Sequence, residues 1–277
     1  MRTVGLVAAL AVLVAASCTA PAPRGSFLIG GPCAPVLLVM ARGSDSGPGS
    51  DEIRAMRSGL GAGLRGTAVQ SVELGDLDGD GRVDPGGYPA VPAALSGGLD
   101  PIADPSAGDV PTLGGYNDSR RIGSEELVAV LGQRARDCPD QRIVVAGYSM
   151  GATAVGVGLR SVPAGTMVRI DAVALFGDPT VVPGPWLRAP DARFPTGHGL
   201  LGSRVPYVPP GVADRTTSWC GSADPYCTGD LAWFSLPTVP CTAAPTEPTC
   251  VRRHQDYPDW AVPGAMADAA ARVQAHL

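Results

Sequence analysis

Residues 143–152 read IVVAGYSMGA, and this stretch decides the fold. Ile143 to Tyr148 is a short, unbroken apolar run with two β-branched valines, the pattern of a strand buried on both faces of a parallel sheet. Gly147-Tyr148-Ser149-Met150-Gly151 follows as GxSxG, and the small residues beyond it continue as a helix. Placed between strand and helix, this pattern is a nucleophile elbow: the turn is so tight that glycines must stand where Cβ atoms would collide, and it lifts the serine hydroxyl above the sheet. Ser149 is the candidate nucleophile.

Two further runs read like Ile143–Tyr148: PVLLVMA at 35–41 and DAVALFG at 171–177. Between the strands lie helical patterns. Ile53, Met56, Leu60 and Leu64 form a stripe behind Ser50, a candidate cap; Ser124 to Arg136 reads as a second helix, a third starts after Met150, and Ala265 to Leu277 is Ala-rich and terminal. Alternating strands and helices predict an α/β protein with a mainly parallel central sheet flanked by helices. The 277 residues include 37 Gly and 28 Pro, concentrated at 75–115, 179–213 and 228–250. No separate core follows any of these stretches, so they read as surface loops of one domain.

Arg2 precedes an apolar run from Val4 to Ala16 and then small residues, the order of an export signal, and the run is shorter than the roughly 20 residues a membrane span needs. The expected organisation is a leader over 1–22, a linker over 23–32 and a catalytic unit over 33–277. Cys18 sits in a lipobox-like context; it is either acylated as a membrane anchor or lost by cleavage after Ala20 or Ala22, so the protein is expected to be secreted or a cell-surface lipoprotein. The net charge is −5 and all 21 basic residues are Arg. Without a basic cluster, nucleic-acid binding is disfavoured.

Cys33, Cys138, Cys220, Cys227, Cys241 and Cys250 remain, an even set in an exported chain. The short spacings favour Cys220 with Cys227 and Cys241 with Cys250, which leaves Cys33 with Cys138. A metal site is disfavoured, because there is no CxxC and the chain has three histidines.

A serine nucleophile needs a base. His276 is next to the terminus and His198 lies in a Gly/Pro-rich loop ahead of several candidate acids, so chain order favours His254. For the acid, Asp178 follows a strand and Asp224 lies inside Cys220-Gly-Ser-Ala-Asp-Pro-Tyr-Cys227. A loop closed by its own disulfide would hold a carboxylate steadily against an imidazole, which favours Asp224.

With these residues in view, the chain resembles the cutinases, small secreted serine esterases, from Cys33 to Leu277. The resemblance rests on ordered motifs: ARGS at 41–44, Tyr88-Pro89-Ala90, GYSMGA at 147–152, ALFGDP, CxxxDPxC and a late HxxY from His254 to Tyr257. It implies an α/β-hydrolase-like three-layer sandwich, with Ser149, Asp224 and His254 as the triad and Cys33–Cys138 and Cys220–Cys227 as disulfides. It also implies an oxyanion hole from Ser44 and the Met150 amide. Many relatives have Gln where Met150 stands, a difference that leaves the backbone donor intact.

The expected activity is extracellular hydrolysis of aliphatic or polyester-type carboxylic esters through an acyl-enzyme on Ser149, by a monomer needing no cofactor for catalysis. The alternatives are an acetylxylan or other carbohydrate esterase, a lipase-like enzyme and, in a different class, a non-enzymatic surface lipoprotein. The segment carrying Cys241 and Cys250 is expected to rim the site. Trp219, Trp233, Phe234 and Trp260 read either as an acyl groove or as plain core.

Asp76, Asp78, Asp80 and Asp84 occupy positions 1, 3, 5 and 9 of a calcium-loop pattern, with Gly81 at the turn. Gly87 stands at position 12 in place of the bidentate Glu, so the expectation is weak structural calcium or an acidic solvated turn.

Overall fold

The computed structural model describes residues 29–91, 111–189, 192–222, 224–230 and 254–277. Its centre is a six-stranded sheet, β1 (Val36–Ala41), β2 (Val69–Glu73), β3 (Arg142–Tyr148), β4 (Ile170–Phe176), β5 (Leu187–Arg188) and β6 (Thr216–Trp219), ordered β2-β1-β3-β4-β6-β5. Every pairing is parallel. The helices are α1 (Asp51–Gly63), α2 (Pro111–Asp137), α3 (Met150–Gly158) and α7 (Val262–Gln274), with the four-residue α4 (Ala164–Met167), α5 (Pro225–Thr228) and α6 (Tyr257–Trp260) between the last two.

Strand periodicity divides the core in two. Leu37, Val39, Ile143, Val145, Val173 and Leu175 face Leu127, Val130 and Leu131 of α2 and Val155 of α3. Their neighbours Val36, Leu38, Met40, Val144, Ala146, Ala172 and Ala174 face Ile53, Met56 and Leu60 of α1 and Val262, Met266, Ala269 and Val273 of α7. Each fully buried aliphatic side chain contributes about 1.5–3 kcal/mol, so the unbroken apolar runs of β1, β3 and β4 follow from burial on both faces. The register sets Ala41 beside Gly147, Tyr148 beside Phe176 and Phe176 beside Trp219, so the carboxyl ends of four strands meet at one rim.

Several element boundaries are corrected. The second helix begins at Pro111 rather than Ser124, taking over the end of the expected 75–115 loop; buried Tyr116 anchors this Gly-containing turn in the core, which outweighs low helix propensity. The terminal helix runs over Val262–Gln274 rather than from Ala265 to Leu277. Ser50 does occupy the N-cap of α1, but its hydroxyl makes no capping hydrogen bond; Asp51 and Glu52 supply first-turn negative charge instead.

Cys33–Cys138 and Cys220–Cys227 are disulfides, with Cα atoms 5.6 and 5.8 Å apart. Cys18, Cys241, Cys250, Trp233 and Phe234 lie outside the described residues, as does the expected leader over 1–22. Among the described residues, no helix is long and apolar enough to cross a membrane.

Candidate active site

Ser149 follows β3 and caps the start of α3 with φ 54° and ψ −121°, a conformation that L-residues rarely hold. Its amide donates to Phe176 O at 2.8 Å, tying the turn to β4. A Cβ on Gly151 would lie 2.3 Å from Ala41 O, and one on Gly147 would lie 2.7 Å from Gly151 O. Both glycines of GxSxG are therefore required by backbone approach.

The serine hydroxyl and the His254 Nε2 are 2.8 Å apart, and His254 Nδ1 is 2.8 Å from Asp224 Oδ2. The three residues come from the end of β3, the start of α5 and the segment before α6. Tyr148, next to the nucleophile, donates its hydroxyl to His254 O at 2.7 Å and so fixes the backbone of the base. The Tyr226 ring lies 4.5 Å from the imidazole. Asp224 is fully buried at the N-cap of α5, where its Oδ1 accepts the Tyr226 amide at 2.9 Å. Its Oδ2 also accepts the Tyr257 hydroxyl at 2.7 Å.

Asp178 is placed elsewhere. It is equally buried, but it pairs with Arg204 at 2.7 Å and accepts from Thr153, Thr180 and Tyr207. Burial alone would push this carboxyl up, and the Arg204 charge with the Thr180 donors outweighs it, holding it below the usual carboxylate range. His198 makes a 2.7 Å contact with Gly199 O, and His276 pairs with Asp171. Neither contacts Ser149.

The ARGS segment passes over the nucleophile. A Cβ on Gly43 would lie 3.4 Å from Ser149 Cβ, and Ser44 follows it, half-buried. Arg42, fully buried, holds this segment by donating to Ser46 O at 2.9 Å, Leu74 O at 2.8 Å and Tyr88 O at 2.8 Å, and by pairing with Glu73 at 3.2 Å. The Tyr88 hydroxyl returns a bond to Arg42 O at 2.9 Å. Glu126 of α2 accepts the Gly75 and Tyr88 amides at 3.0 and 2.7 Å, and burial outweighs both bonds to push its carboxyl up to about 7. Sequence reasoning assigned no role to Arg42, Glu126, Tyr148 or Tyr257. Arg42 and Tyr257 lie inside quoted motifs, whereas Glu126 carries no local signal.

Trp219 and Trp260 meet edge to face at 5.9 Å, and Trp260 also lies 5.3 Å from Tyr257. They form an aromatic cluster beside the Asp224 loop. Asp76, Asp78 and Asp80 bring carboxylate oxygens within 4.8 Å of one another, a cluster able in principle to hold a metal ion. Asp84 is outside that cluster; its carboxylate accepts the Leu77 amide at 2.7 Å, so the expected four-ligand set is reduced to three.

A parallel α/β sandwich with a serine, histidine and aspartate linked in this order at the strand ends defines an α/β-hydrolase with the catalytic-triad geometry of serine hydrolases. Comparison with known proteins carries this further. The Cutinase family model matches residues 103–235, a span containing Ser149 and Asp224. A carboxylesterase of Mycobacterium tuberculosis is 30% identical over 122 residues, 43% of this chain and 49% of that protein. An acetylxylan esterase of Hypocrea jecorina is 29% identical over 143 residues, 46% of each chain. The chain thus spans about half the length of these curated relatives. Among solved structures, the catalytic core of Trichoderma reesei acetylxylan esterase superposes with a TM-score of 0.59 at 20% identity, covering 89% of this chain and all of that one. A cutinase-like protein from Cryptococcus superposes with a TM-score of 0.53 at 20% identity, covering 87% and 96%. Over these spans the chain is similar to cutinases and carboxylesterases, in keeping with the α/β-hydrolase fold and triad geometry described above.

Proposed function

We propose that this chain is an exported serine carboxylester hydrolase, with small acyl esters, acetyl groups on carbohydrate first among them, as its substrate class. The observation that carries the proposal is the continuous relay from Ser149 Oγ through His254 to Asp224, each link 2.8 Å long. Ser149 Oγ attacks the ester carbonyl carbon while His254 Nε2 takes its proton. The tetrahedral intermediate collapses, the carbon–oxygen bond to the alcohol breaks, and the imidazolium returns the proton to the departing alkoxide. Water, activated by the same imidazole, then releases the acid and regenerates Ser149. Asp224 holds the imidazole tautomer and balances the imidazolium charge.

The oxyanion falls to the Met150 amide and to Ser44. The first amides of a helix have no intrahelical acceptor, and α3 begins at Met150. Ser44→Ala is expected to lower kcat by about 10²–10³ with KM nearly unchanged, since such a donor acts on charge that develops in the transition state. A change confined to KM would contradict the role.

The carbohydrate reading is supported by the acetylxylan esterase among the relatives. The cutinases among them support the second reading, aliphatic or polyester-type esters. Acetate release from acetylated xylan, set beside turnover of butyrate to octanoate esters with Ser149→Ala as blank, separates the two. Acetyl esters turned over fastest would support the first reading; rates rising with acyl length would favour the second. No turnover of any ester by folded protein would overturn both. For the acidic loop, calcium is the proposed ion, held weakly by Asp76, Asp78 and Asp80 with water completing its shell.

A further inference from the structure

Tyr257 stands three residues after His254, is fully buried, and meets the candidate acid on the oxygen that the imidazole also uses. Its hydroxyl donates to Asp224 Oδ2 at 2.7 Å, while His254 Nδ1 is 2.8 Å from the same atom. The phenol oxygen in turn accepts the Gly221 amide at 2.9 Å. A phenol has one proton, and the Gly221 N–H occupies the oxygen's acceptor side, so the O–H is directed at the carboxylate. Cys227 Sγ is also 3.4 Å from the hydroxyl, but as a disulfide sulfur it has no proton to give.

Among the described residues, Asp224 therefore keeps no cation within its hydrogen-bond shell. Oδ1 is held by the Tyr226 amide and Oδ2 by a phenol and an imidazole. Burial, with the Asp224 charge beside it, pushes the Tyr257 phenol well above its usual range, so it remains a donor throughout the pH span of an esterase. Phe176, Tyr148 and Trp260 surround its ring at centroid distances of 6.3, 6.1 and 5.3 Å, which leaves it no room to swing away.

We infer that Tyr257 is a positioning residue for the proposed reaction: its hydroxyl aims Asp224 Oδ2 at His254 and spreads the carboxylate charge, setting both the orientation and the basicity of the imidazole. This rests on the hydrolase reading for its kinetic consequences, but not for its effect on the imidazole. A carboxylate stripped of one donor concentrates its charge on the remaining bond and stabilises imidazolium, so the basicity of His254 rises when the hydroxyl is removed. Among the described residues, Tyr148 from β3 packs on Tyr257 and Tyr226 from α5 on the imidazole, with Glu52 from α1 and Asp256 beside the base acting on Tyr148, and all stay in place in the test.

The experiment compares wild type with Tyr257→Phe, which keeps the ring and deletes the oxygen. Histidine NMR titration is read alongside ester kinetics on enzyme counted by fluorophosphonate labelling. The expected result is an upward shift of the His254 titration midpoint, a matching shift of the acid limb of kcat/KM, and a fall in kcat of about 10- to 100-fold, the scale of one hydrogen bond to a charged group, at unchanged KM. Site-specific 3-fluorotyrosine at 257, a stronger donor, moves the midpoint downward and serves where Tyr257→Phe does not fold. An unchanged midpoint in either variant overturns the inference. So does a lower melting temperature with unchanged kcat per labelled site, which would make Tyr257 a packing residue only. A shifted midpoint in a protein that turns over no ester sustains Tyr257 and sinks the hydrolase reading instead.

Discussion

Asp178 stands just beyond β4 and Asp224 just beyond β6, neighbouring strands of one sheet, and both carboxylates are fully buried. Their partners make them different groups. Asp178 is bound to the Arg204 guanidinium, two hydroxyls from threonine and one from Tyr207, so its charge is cancelled on the spot and serves packing. Asp224 receives neutral donors and an imidazole, so among the described residues the cation in that shell is the one that forms when His254 takes a proton. Burial alone does not distinguish structural from catalytic carboxylates; the charge already present around each one does.

The strongest way to break this contrast is to neutralise each acid in turn. Asp224→Asn is expected to lower kcat by about 10⁴ with little change in folding stability, because the imidazole loses the acceptor that fixes its tautomer. Asp178→Asn is expected to leave kcat per folded molecule within a few-fold. Steady-state kinetics on both variants check this, and a reversed pattern would return the acid role to Asp178.

The second expectation is the mirror image in stability. Asp178→Asn leaves Arg204 buried without its counter-charge and is expected to cost about 3–5 kcal/mol in denaturant unfolding. The carboxyl is held below its usual range in the folded protein. Its contribution is thus present above the unfolded value and lost as pH falls through the folded one, so the wild type loses this contribution in acid and the Asn variant has none to lose. Equal acid sensitivity in the two proteins would contradict the assignment.

Glu126 sharpens the comparison as a third buried carboxyl, hydrogen-bonded to amides and, among the described residues, in no direct ion pair. Its value of about 7 lies above the unfolded one near 4.5. The folded protein then binds the extra proton between those limits, so this group's contribution to stability is largest at low pH and declines as pH rises through the window. Glu126→Gln is expected to flatten that decline, measured by denaturation at pH 5 and pH 8; an unchanged slope would show that Glu126 does not cause it.

The smallest effect is expected at the surface. Millimolar calcium should raise the melting temperature by a few degrees at most through Asp76, Asp78 and Asp80, and neutralising Asp78 and Asp80 together should abolish the rise while leaving kcat alone. No shift from excess chelator to millimolar calcium would leave the loop as a turn held by its own amides, such as Gly81 to Asp76 and Leu77 to Asp84.

What could be read ahead of the structure follows the same physics. β1, β3 and β4 are legible because burial on both faces forces unbroken apolar runs. β2, with half-buried Val69, Gln70 and Ser71 at the sheet edge, and β6, written Thr-Thr-Ser-Trp, lack that pattern and were not legible. Ser149 and His254 follow from a motif and an elimination among three histidines, and Asp224 from its disulfide-closed loop. Arg42 and Glu126 act by reaching carbonyls and amides tens of residues away, contacts that no local spacing encodes.

The most direct test of the relay is the rate of fluorophosphonate labelling, with the adduct located by mass spectrometry, in wild type and the Ser149→Ala, Asp224→Asn and Asp178→Asn variants. A single adduct on Ser149 is expected in wild type, none at that position in Ser149→Ala, labelling slowed by orders of magnitude in Asp224→Asn, and a near wild-type rate for folded Asp178→Asn. An adduct elsewhere in the wild-type chain, or full-rate labelling of Ser149 without the Asp224 carboxylate, would contradict the relay.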